Sequence, residues 1–377
     1  MYIRQKQLDN LRDLITPGKV VVLYGARRTG KTTLVQEFLK EVQHEPRLVV
    51  SGEDIAVHDF LSSRSIEKLR AFVGSSSLLV IDEAQRIADI GLNLKLIVDH
   101  LEGVRVIATG SSSFDLARNV GEPLTGRKYT LRLYPLAQLE IGANENPAQT
   151  SANLESRLIY GSYPEIVLMA DNRRREQYLQ EIVASYLYKD VLELDGVRHS
   201  AKIGRLLQLI AFQIGREVSY TELAANLGMS KNTAERYLDL LEKAFVVVRI
   251  PGFSRNLRKE ITKNCRYYFL DNGIRNALIS NFNPLLLRDD AGLLWENYLV
   301  MERLKKQEYL GLAANNYFWR TYTKQEIDFV EERGGRLYGF EMKWGKARNR
   351  PPREWATAYP EASWQVVNRE NYLKFIG

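Results

Sequence analysis

Tyr24-Gly25-Ala26-Arg27-Arg28-Thr29-Gly30-Lys31-Thr32-Thr33 follows the apolar run Val20-Val21-Val22-Leu23 and leads into the helical pattern Leu34, Val35, Phe38, Leu39. A buried strand, a turn that fits GxxxxGK[ST] and a helix together make a phosphate cradle. Gly25 and Gly30 let the loop curl, so that backbone N–H groups from Arg28, Thr29 and Gly30 through Thr33 converge. Lys31 would then reach the β- and γ-phosphates and the Thr32 hydroxyl would hold Mg²⁺. The stretch predicts a nucleoside triphosphate site. A chance glycine-rich turn would need neither flanking element.

Working outward, Leu78-Leu79-Val80-Ile81-Asp82-Glu83-Ala84-Gln85 is a second buried strand, with two carboxylates at its end. Ligands collect at the carboxyl edge of a parallel sheet, so Asp82 is placed to hold Mg²⁺ through its water shell and Glu83 to polarise the attacking water. Val104 to Ala108 is a third such strand, ending in Thr109-Gly110-Ser111-Ser112-Ser113. Thr109 and Ser111 are candidates for sensing the γ-phosphate; equally, the run can be a strand-to-helix turn with Ser111 or Ser112 as N-cap. Arg127, in Leu124-Thr125-Gly126-Arg127, precedes a β-like stretch. It is a candidate trans-acting finger for a neighbouring subunit, a role worth roughly 10³–10⁵ in rate, or else half of a surface ion pair.

These motifs, with Gly161-Ser162-Tyr163-Pro164-Glu165 further on, resemble the AAA+ class of P-loop ATPases. Their order is similar to that of a large prokaryotic branch in which the ATPase core precedes a C-terminal domain described as unknown or nuclease-like. The resemblance implies ATP and Mg²⁺ as cofactors and assembly into a homo-oligomer, a hexameric ring.

The 377 residues are too many for one ordinary domain, and 45% hydrophobic with 26% charged residues describes a globular chain with material for a proper core. Lys and Arg outnumber Asp and Glu by 53 to 46, a net charge of +7 that leans weakly toward polyanionic partners. The single cysteine, Cys265, excludes a disulfide framework and a thiolate metal site, which suits a reducing compartment. No apolar stretch is long enough to span a membrane, and charges stand where a signal peptide would be apolar. The expectation is a cytoplasmic protein.

Four segments are predicted: the ATPase core over 1–142, a helical lid over 143–200, a winged-helix domain over 201–284 and a nuclease-like domain over 285–377. The lid begins after the polar stretch Asn144 to Thr150 and carries Arg173-Arg174-Arg175, most simply a solvated basic turn. In the third segment Ser219 and Glu222 form a capping pair, Gly228 stops that helix and Ser230 caps the next. Ala234, Tyr237, Leu238 and Leu241 then make one apolar face, leaving Lys231, Asn232, Glu235 and Arg236 outward. The following hairpin carries Arg249, Arg255, Arg258, Lys259, Lys263 and Arg266 against Glu260. Such a wing suits contact with DNA phosphates, though a winged fold can also serve protein contact, and the acids Glu235 and Asp239 argue against base reading.

In the last segment a helix from Leu293 to Lys306 turns Glu296 to its buried side, where a carboxylate needs a partner. Two strands, Gln325 to Val330 and Arg336 to Trp344, meet at the turn Gly334-Gly335. Pairing Arg333 with Arg336 sets Asp328 opposite Glu341 and Glu326 opposite Lys343, leaving two carboxylates about 5 Å apart that require a cation between them. A divalent metal is the economical choice. Glu296, Asp328 and Glu341-Met342-Lys343 resemble the PD-(D/E)xK nuclease core, although Ile327 stands where a proline is common. The resemblance implies that Glu296, Asp328 and Glu341 bind Mg²⁺ or Mn²⁺, and that Asp328, Glu341 and Lys343 activate a water that cuts DNA. A DNA-holding relic would keep the same residues. Trp319, Tyr322, Trp344, Trp355 and Trp364 read as core or rim.

The reading is thus an α/β ATPase with a winged helix and a restriction-endonuclease-like domain, acting on duplex or branched DNA. Two alternatives stand: an ATP-driven DNA remodeller whose C-terminal domain grips without cutting, and an ATP-gated switch that contacts a protein partner.

Overall fold

The computed structural model describes residues 2–111, 124–187, 200–254, 265–345 and 350–377. The N-terminal sheet has five parallel strands: β1 (Val20–Tyr24), β2 (Arg47–Ser51), β3 (Leu78–Asp82), β4 (Arg105–Gly110) and β5 (Lys128–Arg132), in the order β2-β3-β4-β1-β5. Its apolar runs are continuous because both faces are covered. Val20, Val22 and Tyr24 pack on one side with Ile81, Leu94 and Ile97, while Val21 and Leu23 pack on the other with Leu8, Leu34 and Phe38. Period two along β1 therefore shows in which core each residue joins, and polarity carries no trace of it. The helix Lys31–Glu41 starts directly from the phosphate loop, and Gly30 at its N-cap has φ +99°.

After β5 the chain is helical: Pro147–Tyr160, Pro164–Leu168 and Asn172–Glu181. Asn146 caps the first, accepting from the Gln149 amide at 2.9 Å while its own amide donates to the Gln149 side chain. Helices Ser200–Phe212, Tyr220–Leu227 and Lys231–Lys243 follow, with the antiparallel strands β6 (Glu217–Val218), β7 (Val247–Pro251) and β8 (Cys265–Phe269) in the order β6-β8-β7. The caps lie where the sequence puts them, Ser219 accepting from the Glu222 amide and Ser230 from that of Thr233. Of the hairpin's cations, Arg255, Arg258, Lys259 and Lys263, together with Glu260, fall outside the described residues. So do Ser112, Ser113 and the end of the expected lid helix.

The long helix Ala291–Tyr309 comes next, then a mixed sheet of β9 (Asn315–Arg320), β10 (Glu326–Arg333), β11 (Arg336–Met342) and β12 (Ser363–Val367) in the order β12-β11-β10-β9. Gly334 and Gly335 both have positive φ, +56° and +73°, as a two-residue hairpin requires. The ladder pairs Arg333 with Arg336 and ends at Phe329 with Phe340, the register that turn implies. One apolar core runs from Leu154 through Leu238, Phe269 and Trp295 to Ile376. Trp319 and Trp355 are buried as expected of core, whereas Tyr322 is 96% exposed. Among the described residues no helix is long and apolar enough to cross a membrane.

The C-terminal helix also binds the ATPase sheet. Glu302 accepts from the Gln138 amide at 2.5 Å, Lys305 donates to Glu302 at 2.7 Å and to the Leu136 carbonyl at 3.2 Å, and the Tyr134 amide donates to the Tyr309 hydroxyl at 3.1 Å. A second strut is Gly161-Ser162. The Ser162 amide donates to buried Asp271 at 2.7 Å and its carbonyl accepts from Leu136, while a Cβ on Gly161 would overlap the Asp271 carboxylate. Front and back of the chain are therefore fastened through buried polar contacts as well as apolar packing.

Candidate functional site

At the carboxyl ends of β1, β3 and β4 the phosphate loop meets the two acids. Gly25 touches the Leu133 carbonyl so closely that no Cβ fits, which explains glycine there. Lys31 is buried, its ammonium donating to the carbonyls of Gly25 at 2.9 Å and Ala26 at 3.0 Å, and Thr29 closes the turn by donating to Ala26 at 2.9 Å. The Thr32 hydroxyl donates to Asp82 at 3.0 Å. This exposed hydroxyl and the half-buried carboxylate form a pair of hard oxygen donors beside a lysine, which fits Mg²⁺ on a triphosphate. When bound, that ion would neutralise phosphate charge.

Thr109 joins the strands: its hydroxyl donates to the other Asp82 oxygen and accepts from the Glu83 amide at 3.1 Å. Glu83 itself has φ +50°, a strained left-handed conformation for a residue with a side chain. Gln85, passed over in the sequence, donates from one amide nitrogen to Glu83 at 2.5 Å and to Ser111 at 3.2 Å. Gln5 was also missed; it is buried and donates to the Thr29 carbonyl at 2.9 Å, clamping the loop from the N-terminal segment. Neither residue carries a local signal, because each is defined by a partner distant in the chain or by a side-chain direction.

Arg28 is 3.7 Å from Glu165 in an exposed ion pair. Arg127 lies at the opposite, amino edge of the sheet, where its carbonyl accepts from Val20 and its guanidinium holds Asp99 at 2.5 Å. It is remote from its own chain's phosphate loop. A small cavity of about 30 Å³ separates Ala26 and Arg27 from Tyr163, Ala244, Phe245 and Asp271.

The second acidic centre is built on β10, β11 and the helix Ala291–Tyr309, and here the structure corrects the expected metal site. Glu296, Asp328 and Glu341 do converge, but the cation among them is a side chain. Arg266 reaches in from β8, 3.4 Å from Glu296, 3.7 Å from Asp328 and 2.9 Å from Glu326, with its guanidinium 4.7 Å from the centre of the Phe318 ring. Lys343 supplies a second cation, 2.6 Å from Glu341 and 3.9 Å from Asp328. The Tyr268 hydroxyl donates to Glu296 at 2.7 Å and the Met342 amide to Asp328 at 2.8 Å. Among the described residues no group of three acids, histidines or cysteines is arranged to hold a metal ion. At Glu296 and Asp328 the donor set as it stands does not fit Mg²⁺ or Mn²⁺, because the Arg266 guanidinium lies against both carboxylates, while Glu341 pairs with Lys343. Arg266, counted in the sequence with the cations that face DNA, is only 4% exposed.

Burial, reinforced by the charge of Asp328, pushes the Glu296 carboxyl up to about 8 despite Arg266. Burial also raises Asp328, against the pull of Lys343 and Arg266, and raises Glu341, to which the charge of Asp328 adds. Burial works against the charge of Lys343, but Asp328 and Glu341 outweigh it and raise its pKa. The centre is a desolvated cluster in which burial raises all three carboxyls.

Comparison with known proteins agrees with this anatomy at its front end. Residues 17–142 match the AAA domain family, residues 151–285 a domain of unknown function (DUF8612) and residues 291–374 another, DUF4143. The uncharacterized protein Rv2008c of Mycobacterium tuberculosis is 30% identical over 346 residues, 90% of this chain and 74% of its own length. The uncharacterized protein MJ1544 of Methanocaldococcus jannaschii is 23% identical over 335 residues, 84% and 73% of the two chains. Among solved structures, AMPPCP-bound DnaA from Aquifex aeolicus is similar over 63% of this chain and 85% of its own, at 16% identity and a TM-score of 0.32. The likeness to Rv2008c covers nine-tenths of this chain, so the chain belongs to the same family as that protein, and its residues 17–142 form an AAA domain.

Proposed function

We propose that this protein is an ATP-driven machine that handles DNA, and that its C-terminal unit grips nucleic acid or transmits force without cutting it. The observation that carries the choice against cutting is Arg266, buried between Glu296 and Asp328 where a nuclease needs its metal. Lys31 and Thr32 bind the nucleotide, Asp82 holds Mg²⁺, Glu83 polarises the attacking water and Thr109 links the acids to the phosphate-sensing end of β4. Arg127 acts only across a subunit boundary in a homo-oligomer, and only when its pair with Asp99 opens.

Three features support DNA as the partner. The net charge is +7; the three helices with a β6-β8-β7 sheet follow the order of a winged helix; and the helix Lys231–Lys243 buries Ala234, Leu238 and Leu241 while exposing Lys231, Asn232 and Arg236. The helix Ala291–Tyr309 on a four-stranded mixed sheet supports the restriction-endonuclease-like reading of the C-terminal unit.

The test is ATP turnover with and without duplex, single-stranded and four-way DNA, at salt from roughly 50 to 200 mM, alongside incubation of plasmid with Mg²⁺ or Mn²⁺. DNA should stimulate turnover, less so at high salt, and the plasmid should stay intact. Turnover indifferent to every DNA would leave the protein-partner switch as the better reading. Cutting that is lost in Asp328→Asn would install the nuclease instead.

A further inference from the structure

We infer that Gln85 is a positioning residue for ATP hydrolysis, the group that aims the Glu83 carboxylate. This inference rests on the reading of Glu83 as the residue that polarises water, and goes beyond it by naming what holds Glu83 in place.

The backbone at Glu83 is pinned from three directions. Its amide donates to Thr109 at 3.1 Å, its carbonyl lies so near Gly52 that no Cβ fits there, and its φ of +50° is a conformation that persists only where surroundings impose it. A pinned backbone still leaves a glutamate free about its side-chain bonds. Gln85 removes that freedom, because a single amide nitrogen donates to Glu83 at 2.5 Å and to Ser111, at the end of β4, at 3.2 Å.

The orientation of this amide is dictated by its partners. A flipped amide would set its carbonyl oxygen against the Glu83 carboxylate, acceptor facing acceptor. In the orientation adopted, that carbonyl oxygen is buried with no hydrogen-bond partner among the described residues. A fold that leaves an acceptor unsatisfied so that the donor can face a carboxylate is using the donor. The short 3-10 turn Ala84–Arg86 fixes the direction of Gln85, since Ala84 is fully buried in the sheet-side core. Ser111, weighed in the sequence as a phosphate sensor or an N-cap, acquires a third role as the anchor of Gln85.

A residue that acts through Glu83 affects the chemical step and leaves nucleotide affinity alone. Gln85→Ala and the near-isosteric Gln85→Met should each lower kcat about tenfold or more, with KM and the Kd for a non-hydrolysable ATP analogue within threefold of the parent. In a Glu83→Gln background, Gln85→Met should lower single-turnover hydrolysis no further, because the carboxylate it aims has gone. Ser111→Ala should give a smaller loss of the same kind. Either of two results overturns the inference: Gln85→Met with parental kcat while Glu83→Gln is inactive, or losses that multiply in the double variant. Parental turnover in Glu83→Gln would instead remove the underlying reading of the site. The thermal transition of each variant separates these outcomes from misfolding.

Discussion

The two acidic centres of this molecule both draw carboxylates from buried strands, the second adding Glu296 from a helix, and they end with different partners. Around Asp82 and Glu83 the supporting groups are hydroxyls and an amide: Thr32, Thr109 and Gln85. Such donors orient carboxylates without cancelling their charge, so a metal–triphosphate complex still gains from approaching. Around Glu296, Asp328 and Glu341 the supporting groups include Arg266 and Lys343, and burial raises all three acids. Glu296 and Asp328 there already face the Arg266 guanidinium, and Glu341 faces Lys343 through one of its two oxygens. Counting carboxylates therefore says little about metal binding until the neighbouring cations are known.

The comparison can be broken most forcefully at the front. Lys31→Ala should reduce ATP turnover by about 10³-fold or more, since it removes the buried ammonium at the phosphate loop; turnover assayed with phosphate release at saturating ATP checks this, and near-parental activity would discard the site. Next in size, Arg266→Met should cost about 3–5 kcal/mol in denaturant unfolding, because buried carboxylates lose the guanidinium between them. Added Mg²⁺ or Mn²⁺ should then recover part of the loss in this variant and have little effect in the ATP-free parent.

The third test concerns protons. A carboxyl held near 8 in the folded chain but near its ordinary value when unfolded costs stability as pH rises between those two values. The unfolded state ionises first, so the fold loses ground from about pH 5 to about pH 8. Glu296→Gln should flatten that fall in melting temperature. A slope equal to the parent's would show that Glu296 does not retain its proton.

Much of the front half was legible in the sequence, because its signals are local. Val20 to Leu23, the glycines of the loop and the Asp82-Glu83 pair each specify their own surroundings, and the capping residues Ser219 and Ser230 do the same. The β10–β11 register was legible as well, since Gly334-Gly335 admits one tight turn. What the sequence concealed depends on distant contacts. Arg266 looked like any other cation of a basic hairpin, and its burial between β10 and the long helix follows only from how the middle and C-terminal units share a core. Gln85 stands beside Glu83 in the chain, yet its role depends on the direction of a 3-10 turn.

The central claim, one centre open to metal with nucleotide and the other closed by Arg266, is tested most directly by titrating Mn²⁺ and reading free ion by electron paramagnetic resonance. The account predicts about one Mn²⁺ per chain, bound with ATP analogue and not without it, and unchanged by Asp328→Asn. A second Mn²⁺ that binds in the absence of nucleotide and disappears in Asp328→Asn would contradict it.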